Sequence, residues 1–204
     1  MNKVKVKICG ITNAADASTA VALGANALGF IFARSPRQMT PQKVRAIVRT
    51  IPPFVKTVGV FVNEAAAAIR DIKQYCGLDL VQLHGDESPA FCDELMPTVI
   101  KALRVKDASS LQTSRAYQGK VRALLLDSYS REKVGGTGKT FDWKLAIKIK
   151  EIGIPIILAG GLGPSNINLA IQTVNPYAVD INSGIEDYPG KKNPALMKAV
   201  MAAW

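Results

Sequence analysis

The chain has 204 residues, of which 48% are hydrophobic and 21% charged, a globular composition that excludes a disordered or low-complexity chain and leaves room for one sizeable core. The formal net charge of +10 comes from 26 scattered Lys and Arg with no basic run longer than two, so it reads as a solvated basic surface that steers an anionic substrate, with no stripe for nucleic acid. Cys9, Cys76 and Cys92 form no C-x-x-C pair and His84 is the only histidine, which argues against a disulfide framework and against a metal site built on several His or Cys ligands. No apolar stretch approaches the roughly 20 residues that span a bilayer, and the opening MNKVKVKICG lacks an apolar signal region, so a cytoplasmic protein without membrane association is expected.

A short apolar run, a turn rich in Gly, Ser, Pro or Asn, and a helical pattern then recur along the chain. The strand candidates are Val4–Gly10, Ala27–Phe32, Thr57–Val62, Leu80–Gly85, Val99–Val105, Ala123–Ser128, Ile154–Gly161 and Ala178–Gly184. The helical stretches between and after them are Ala14–Leu23, Pro41–Val48, Glu64–Tyr75, Ser88–Leu95, Ala108–Tyr117, Phe141–Glu151, Pro164–Thr173 and Pro194–Ala203. Pro41, Pro164 and Pro194 stand near first helical positions, and Gly24, Gly77 and Gly153 stand where a terminating glycine belongs. Strict alternation requires crossovers and therefore parallel strands. The fold expected is α/β, a single (β/α)8 TIM barrel with one domain over residues 1–204. An open doubly wound sheet would carry G-x-G-x-x-G after its first strand, where this chain reads CGITNAAD.

In such barrels the chemistry sits at the C-terminal strand ends. Those places hold Cys9, Arg37, Asn63, His84, Arg104, Asp127, the glycines of LAGG and Asp180 through Gly184. Period-two alternation turns Cys9, Lys7 and Lys5 inward, and likewise Asp127 with Leu125, His84 with Gln82, and Asp180 with Asn182 and Ala178. The first and last strands are neighbours in a closed barrel, so Lys7 and Asp180 should pair beneath Cys9. A cation there is expected to draw the Cys9 thiol toward ionisation. Asp127 is a turn former or a general acid, and His84 a packed histidine or a site residue. LAGGLGPSN and INSGIE put Gly160, Gly161, Ser183 and Gly184 after the last two strands, where barrels bind phosphate through backbone N–H groups. GGTGKT (Gly135–Thr140) ends like a Walker A motif but has Lys133 where that motif needs its first glycine; it reads as a loop able to fold over the site.

Taken together, KICGIT, GANALGFIFARSPR, VGVFVN, QLHGDE, LLLDS with GGTGKTFDW, ILAGGLGPSN and VDINSGIEDYPGKK resemble the phosphoribosylanthranilate isomerase family of tryptophan biosynthesis, in order and spacing over almost the whole chain. The resemblance implies a cofactor-free Amadori rearrangement of a small phosphorylated sugar–anthranilate substrate, by a monomer or homodimer. It implies Cys9 as general base and Asp127 as general acid. It places Arg37 and His84 on the anthranilate side, with the Arg37 fork free to hold a carboxylate, Asp180 beside the base, and Gly160, Gly161, Ser183 and Gly184 around the phosphate. Asn182 and Asn193 depart from the Ser and Asp usual there. The rivals are a sister barrel isomerase of histidine biosynthesis, which would carry an aspartate base and a half-barrel repeat, and a non-catalytic phosphate-binding barrel.

Overall fold

The structure is a computed structural model that describes residues 4–128 and 143–202. In chain order it forms β1 (Lys5–Ile8), α1 (Ala14–Ala22), β2 (Ala27–Ile31), α2 (Pro41–Val48), β3 (Lys56–Phe61), α3 (Ala66–Cys76), β4 (Leu80–Leu83) and α4 (Pro89–Glu94). There follow β5 (Val99–Val105), α5 (Ser109–Arg115), β6 (Ala123–Ser128), α6 (Trp143–Lys150), β7 (Ile156–Leu158), α7 (Ile167–Val174) and β8 (Ala178–Ile181). A 3-10 turn (Ser183–Ile185), a small hairpin of β9 (Glu186–Tyr188) and β10 (Lys191–Lys192), and α8 (Pro194–Met201) complete it. Strands β1 to β8 pair in sequence order and close, β8 lying parallel to β1 with Lys5 opposite Ala178 and Lys7 opposite Asp180.

Strand alternation separates two apolar layers. Val6, Ile8, Phe30, Leu83, Leu124, Leu126 and Val179 pack outward against helix residues such as Ala17, Val44, Ile69 and Ile149. Val58, Ile100, Ala102, Leu125, Ile157 and Ala178 fill the barrel. On β6 the consecutive leucines 124, 125 and 126 are all fully buried, on alternating faces. Each such leucine contributes about 1.5–3 kcal/mol, and a slip of one residue would exchange both layers, so the register is strongly specified.

Side chains of Asn13, Thr40, Ser88 and Asn193 cap α1, α2, α4 and α8 by accepting from Asp16, Lys43, Phe91 and Leu196 backbone N–H. Asn193 therefore performs the capping that an aspartate would. Pro41 and Pro194 open their helices as expected. Pro164 does not: α7 begins at Ile167, because the Asn166 side chain accepts from Gly163 N at 2.9 Å and donates to Gly161 O at 3.0 Å, folding the preceding segment into a turn. β7 is also shorter than its apolar run, since Gly160 and Gly161 take φ of 87° and 66° and end the extended backbone. Among the described residues no helix is long and apolar enough to cross a membrane.

Candidate active site

Cys9 stands one residue beyond β1, and its N–H donates to Ile181 O at 2.9 Å, continuing the β1–β8 alignment to the barrel mouth. The thiol is buried. Below it, also buried, the Lys7 ammonium donates to Asp180 Oδ1 at 2.9 Å, the pairing that strand alternation predicts. The electrostatic balance corrects one expectation. Burial pushes the Cys9 thiol up; Lys7 opposes the rise and Asp180 adds to it, so the net shift is upward, not toward ready ionisation. Lys7 itself is opposed by burial, but Asp180 and Cys9 outweigh that and hold its ammonium above the ordinary lysine range.

Asp127 comes from the end of β6, and His84 from just beyond β4. His84 Nε2 lies 3.3 Å from Asp127 Oδ2, and His84 Nδ1 lies 3.0 Å from Gln82 Nε2. His84 is framed by a buried ion pair. Lys101 on β5 donates to Glu87 Oε2 at 2.9 Å and to the carbonyls of Leu83 and Gly85 at 3.3 and 2.7 Å, on either side of His84. Burial works against the Glu87 charge, yet the Asn63 N–H and Lys101 hold its carboxyl below the usual range.

The β7 and β8 ends meet through glycine. A Cβ on Gly184 would sit 2.1 Å from Leu162 O, so only glycine lets the two loops touch at backbone level. A cavity of about 210 Å³ opens beside them, and Cys9, His84, Asp127, Gly160, Gly161, Asp180 and Ser183 all line it, together with Gln82 and Asn182. Gly184 and Arg37 are not among its lining residues. Gly184 backs the Leu162 loop, whereas Arg37 is held by a residue that sequence reasoning passed over.

That residue is Glu186, on the small hairpin. Arg37 Nε and Nη2 reach Glu186 Oε1 and Oε2 at 2.8 and 2.5 Å, a bidentate pair with both side chains largely buried. One edge of the Arg37 fork is thus engaged within the chain, and only the remaining guanidinium N–H groups are open to a ligand. Burial opposes the Glu186 charge, but Arg37 and Lys192 together hold its carboxyl low. Lys192, fully buried, also donates to Asn182 O and Oδ1 at 3.1 and 2.9 Å. The Asn182 side chain is therefore built into this network. Asp16 on α1 anchors the hairpin from outside, accepting from Lys191 Nζ at 2.6 Å and Lys192 N at 2.8 Å. The GGTGKT loop (135–140) lies outside the described residues.

The protein-family model for N-(5'-phosphoribosyl)anthranilate (PRA) isomerase matches residues 6–203. The N-(5'-phosphoribosyl)anthranilate isomerase of Geobacter sulfurreducens is 53% identical over 196 residues, covering 96% of this chain and 95% of that one. A solved phosphoribosyl anthranilate isomerase in complex with reduced 1-(o-carboxyphenylamino)-1-deoxyribulose 5-phosphate superposes with a TM-score of 0.88 at 39% identity, covering 98% of this chain and 97% of the other. Monomers generated from the dimeric enzyme of Thermotoga maritima give a TM-score of 0.89 at 38% identity, with 98% of each chain covered. The fold, the strand-end residues and these likenesses converge: the chain belongs to the N-(5'-phosphoribosyl)anthranilate isomerase family.

Proposed function

We propose that this chain rearranges N-(5-phosphoribosyl)anthranilate to 1-(2-carboxyphenylamino)-1-deoxyribulose 5-phosphate in tryptophan biosynthesis, with Asp127 as general acid and Cys9 as general base. The observation that carries the assignment is that these two side chains, from β6 and the end of β1, line one cavity bordered by the glycine loops. Asp127 gives a proton to the ribose ring oxygen, the bond from that oxygen to C1 breaks, and the amine lone pair closes a C1=N iminium. The Cys9 thiolate takes the C2 proton; the electron pair forms C1=C2 and neutralises nitrogen as an enolamine. Loss of the C2 hydroxyl proton and protonation at C1 give the ketose. One acid and one base are sufficient for these transfers. Gly160, Gly161, Ser183 and Gly184 hold the phosphate through backbone N–H groups. His84 and the free edge of Arg37 face the anthranilate, and Asp180 sets Lys7 beneath the base.

Turnover of freshly generated substrate by wild type, Cys9→Ser and Asp127→Asn tests this. Conversion by wild type is expected, with losses of roughly 10²-fold or more in each variant. A variant that keeps the full rate would remove that residue from its role.

We also infer that the chain works as a homodimer joined through the N-terminal mouth of the barrel. Phe54, on the α2–β3 connection, is 95% exposed there, beside a cavity of about 430 Å³ whose apolar wall includes Val58, Leu80, Ile100 and Ile157. An exposed aromatic next to an apolar recess is the arrangement of a self-complementary interface, and a relative of similar fold is dimeric.

A further inference from the structure

We propose that Gln82 is a positioning residue that fixes the proton of His84 on Nε2 and thereby aims a hydrogen-bond donor at Asp127. The inference rests on the reading of Asp127 as the general acid. Gln82, on β4, is 1% exposed and turns into the barrel. Its Nε2 lies 3.0 Å from His84 Nδ1, while its Oε1 is buried with no hydrogen-bond partner among the described residues. An amide nitrogen can only donate, so Nδ1 must accept, and a neutral imidazole then carries its proton on Nε2. That nitrogen is the one 3.3 Å from Asp127 Oδ2. The opposite amide orientation would place a proton on Nδ1 and leave Nε2 as an acceptor, with no donor to offer the Asp127 carboxylate that forms when the acid gives up its proton.

The unpartnered Oε1 is the second part of the argument. A buried carbonyl without a partner is destabilising, and neighbouring interior positions are filled by Val58, Ile100 and Leu125. A residue present only for packing would be apolar like them. The amide is instead tied to His84, whose backbone is already clamped by the Lys101 bonds to Leu83 O and Gly85 O. Ring position and tautomer are thus set separately, the first by Lys101 and the second by Gln82. When Asp127 passes its proton to the sugar oxygen, negative charge develops on its carboxylate, and the His84 Nε2–H is placed to stabilise it. Among the described residues, the other charged or titratable groups around His84 are Asp86, Glu87, Lys101, Arg104, Lys106 and Tyr117 on the β4–β5 side, with Cys9 and Asp180 across the site cavity.

His84 is the only histidine in the chain, so nitrogen NMR of imidazole-labelled protein reads this tautomer without assignment. At a pH where the ring is neutral, the wild type is expected to carry its proton on Nε2. Gln82→Met should give a mixture of tautomers and lower kcat roughly ten- to hundredfold while KM stays within about twofold. Gln82→Glu keeps the length but offers an acceptor, and should move the proton to Nδ1 with a larger loss. A wild-type ring protonated on Nδ1 overturns the proposal, even if no Gln82 variant folds. So does a Gln82→Met protein with unchanged tautomer and kcat. Asp127→Asn separates the two readings: full activity in that variant removes Asp127 as the acid, whereas an inactive Asp127→Asn beside an unaffected Gln82→Met removes only the role of Gln82.

Discussion

Lys7 Nζ and Asp180 Oδ1 stand 2.9 Å apart directly opposite each other in the β1–β8 register, under the Cys9 thiol. The pair places two opposing charges next to one reactive group. Lys7 favours the thiolate, while burial and Asp180 disfavour it and prevail. The wild-type thiol should therefore become reactive toward alkylation only as pH rises through the alkaline range. Asp180→Asn should lower the pH at which Cys9 ionises, and Lys7→Met should raise it. Alkylation of Cys9 against pH, followed site by site by mass spectrometry, measures both shifts. Three coincident profiles would show that the pair does not act on the thiol. Lys7→Met also leaves Asp180 buried and alone, a loss of about 3–5 kcal/mol in stability, so Asp180→Asn is the cleaner probe.

The pairing of Lys7 with Asp180 could be read from sequence because it needs only period-two alternation and closure of the barrel. The ion pair of Arg37 with Glu186 needs more. Glu186 arrives on a hairpin whose β9 and β10 have three and two residues, too short to leave a pattern. Its partner Lys192 is buried, against what its residue type suggests. Lys101 escaped notice for a similar reason: on β5 it lies between the inward Ile100 and Ala102, on the helix-facing side, where strand alternation calls for an apolar residue. The direction of the Cys9 shift could not be read either, since it is a sum in which burial, invisible in sequence, outweighs the nearest cation.

Gly29, on β2, makes room for the base. A Cβ there would stand 2.8 Å from Cys9 Sγ and 3.0 Å from Lys7 Cε. Gly29→Ala should displace the thiol by several tenths of an ångström and cut kcat by about tenfold or more, since misplacement of a reacting group acts directly on rate. The unfolding transition should remain cooperative. Steady-state kinetics beside thermal unfolding checks both. Wild-type kcat in a folded Gly29→Ala protein would show that the thiol tolerates the shift.

Stability should fall at both ends of the pH scale. Asp16, Asp79, Glu87 and Glu186 are each opposed by burial, yet hydrogen bonds from their partners hold all four carboxyls low. The unfolded chain binds those protons more readily, so their contribution is present above the ordinary carboxylate range and is lost as pH falls through the depressed values. At the alkaline end burial pushes the Cys92 thiol up to about 11 and the Tyr117 hydroxyl up to about 12. These groups keep their protons longer in the folded state, so stability is full below the unfolded values and is lost as pH rises through the folded ones. Urea unfolding should show a plateau between roughly pH 5 and 8 with declines on either side. A flat profile down to pH 3 would contradict the acid limb, and one flat up to pH 11 the alkaline limb.

Phe54 tests the dimer. An aromatic side chain moved from water into an apolar recess gains about 1.5–3 kcal/mol, and two-fold symmetry applies that gain twice. Phe54→Lys replaces it with a cation, which Lys5, Lys56 and Arg122 lining the recess repel. The variant should sediment as a monomer at concentrations where wild type sediments as a dimer. Its kcat should be retained, because Phe54 sits with the strand N-termini whereas Cys9 and Asp127 sit at the C-terminal ends. Loss of the dimer contact should also lower the thermal midpoint and make it independent of protein concentration. A wild type that sediments as a monomer at micromolar concentration would refute the interface. A Phe54→Lys protein that remains dimeric would place the contact on another face.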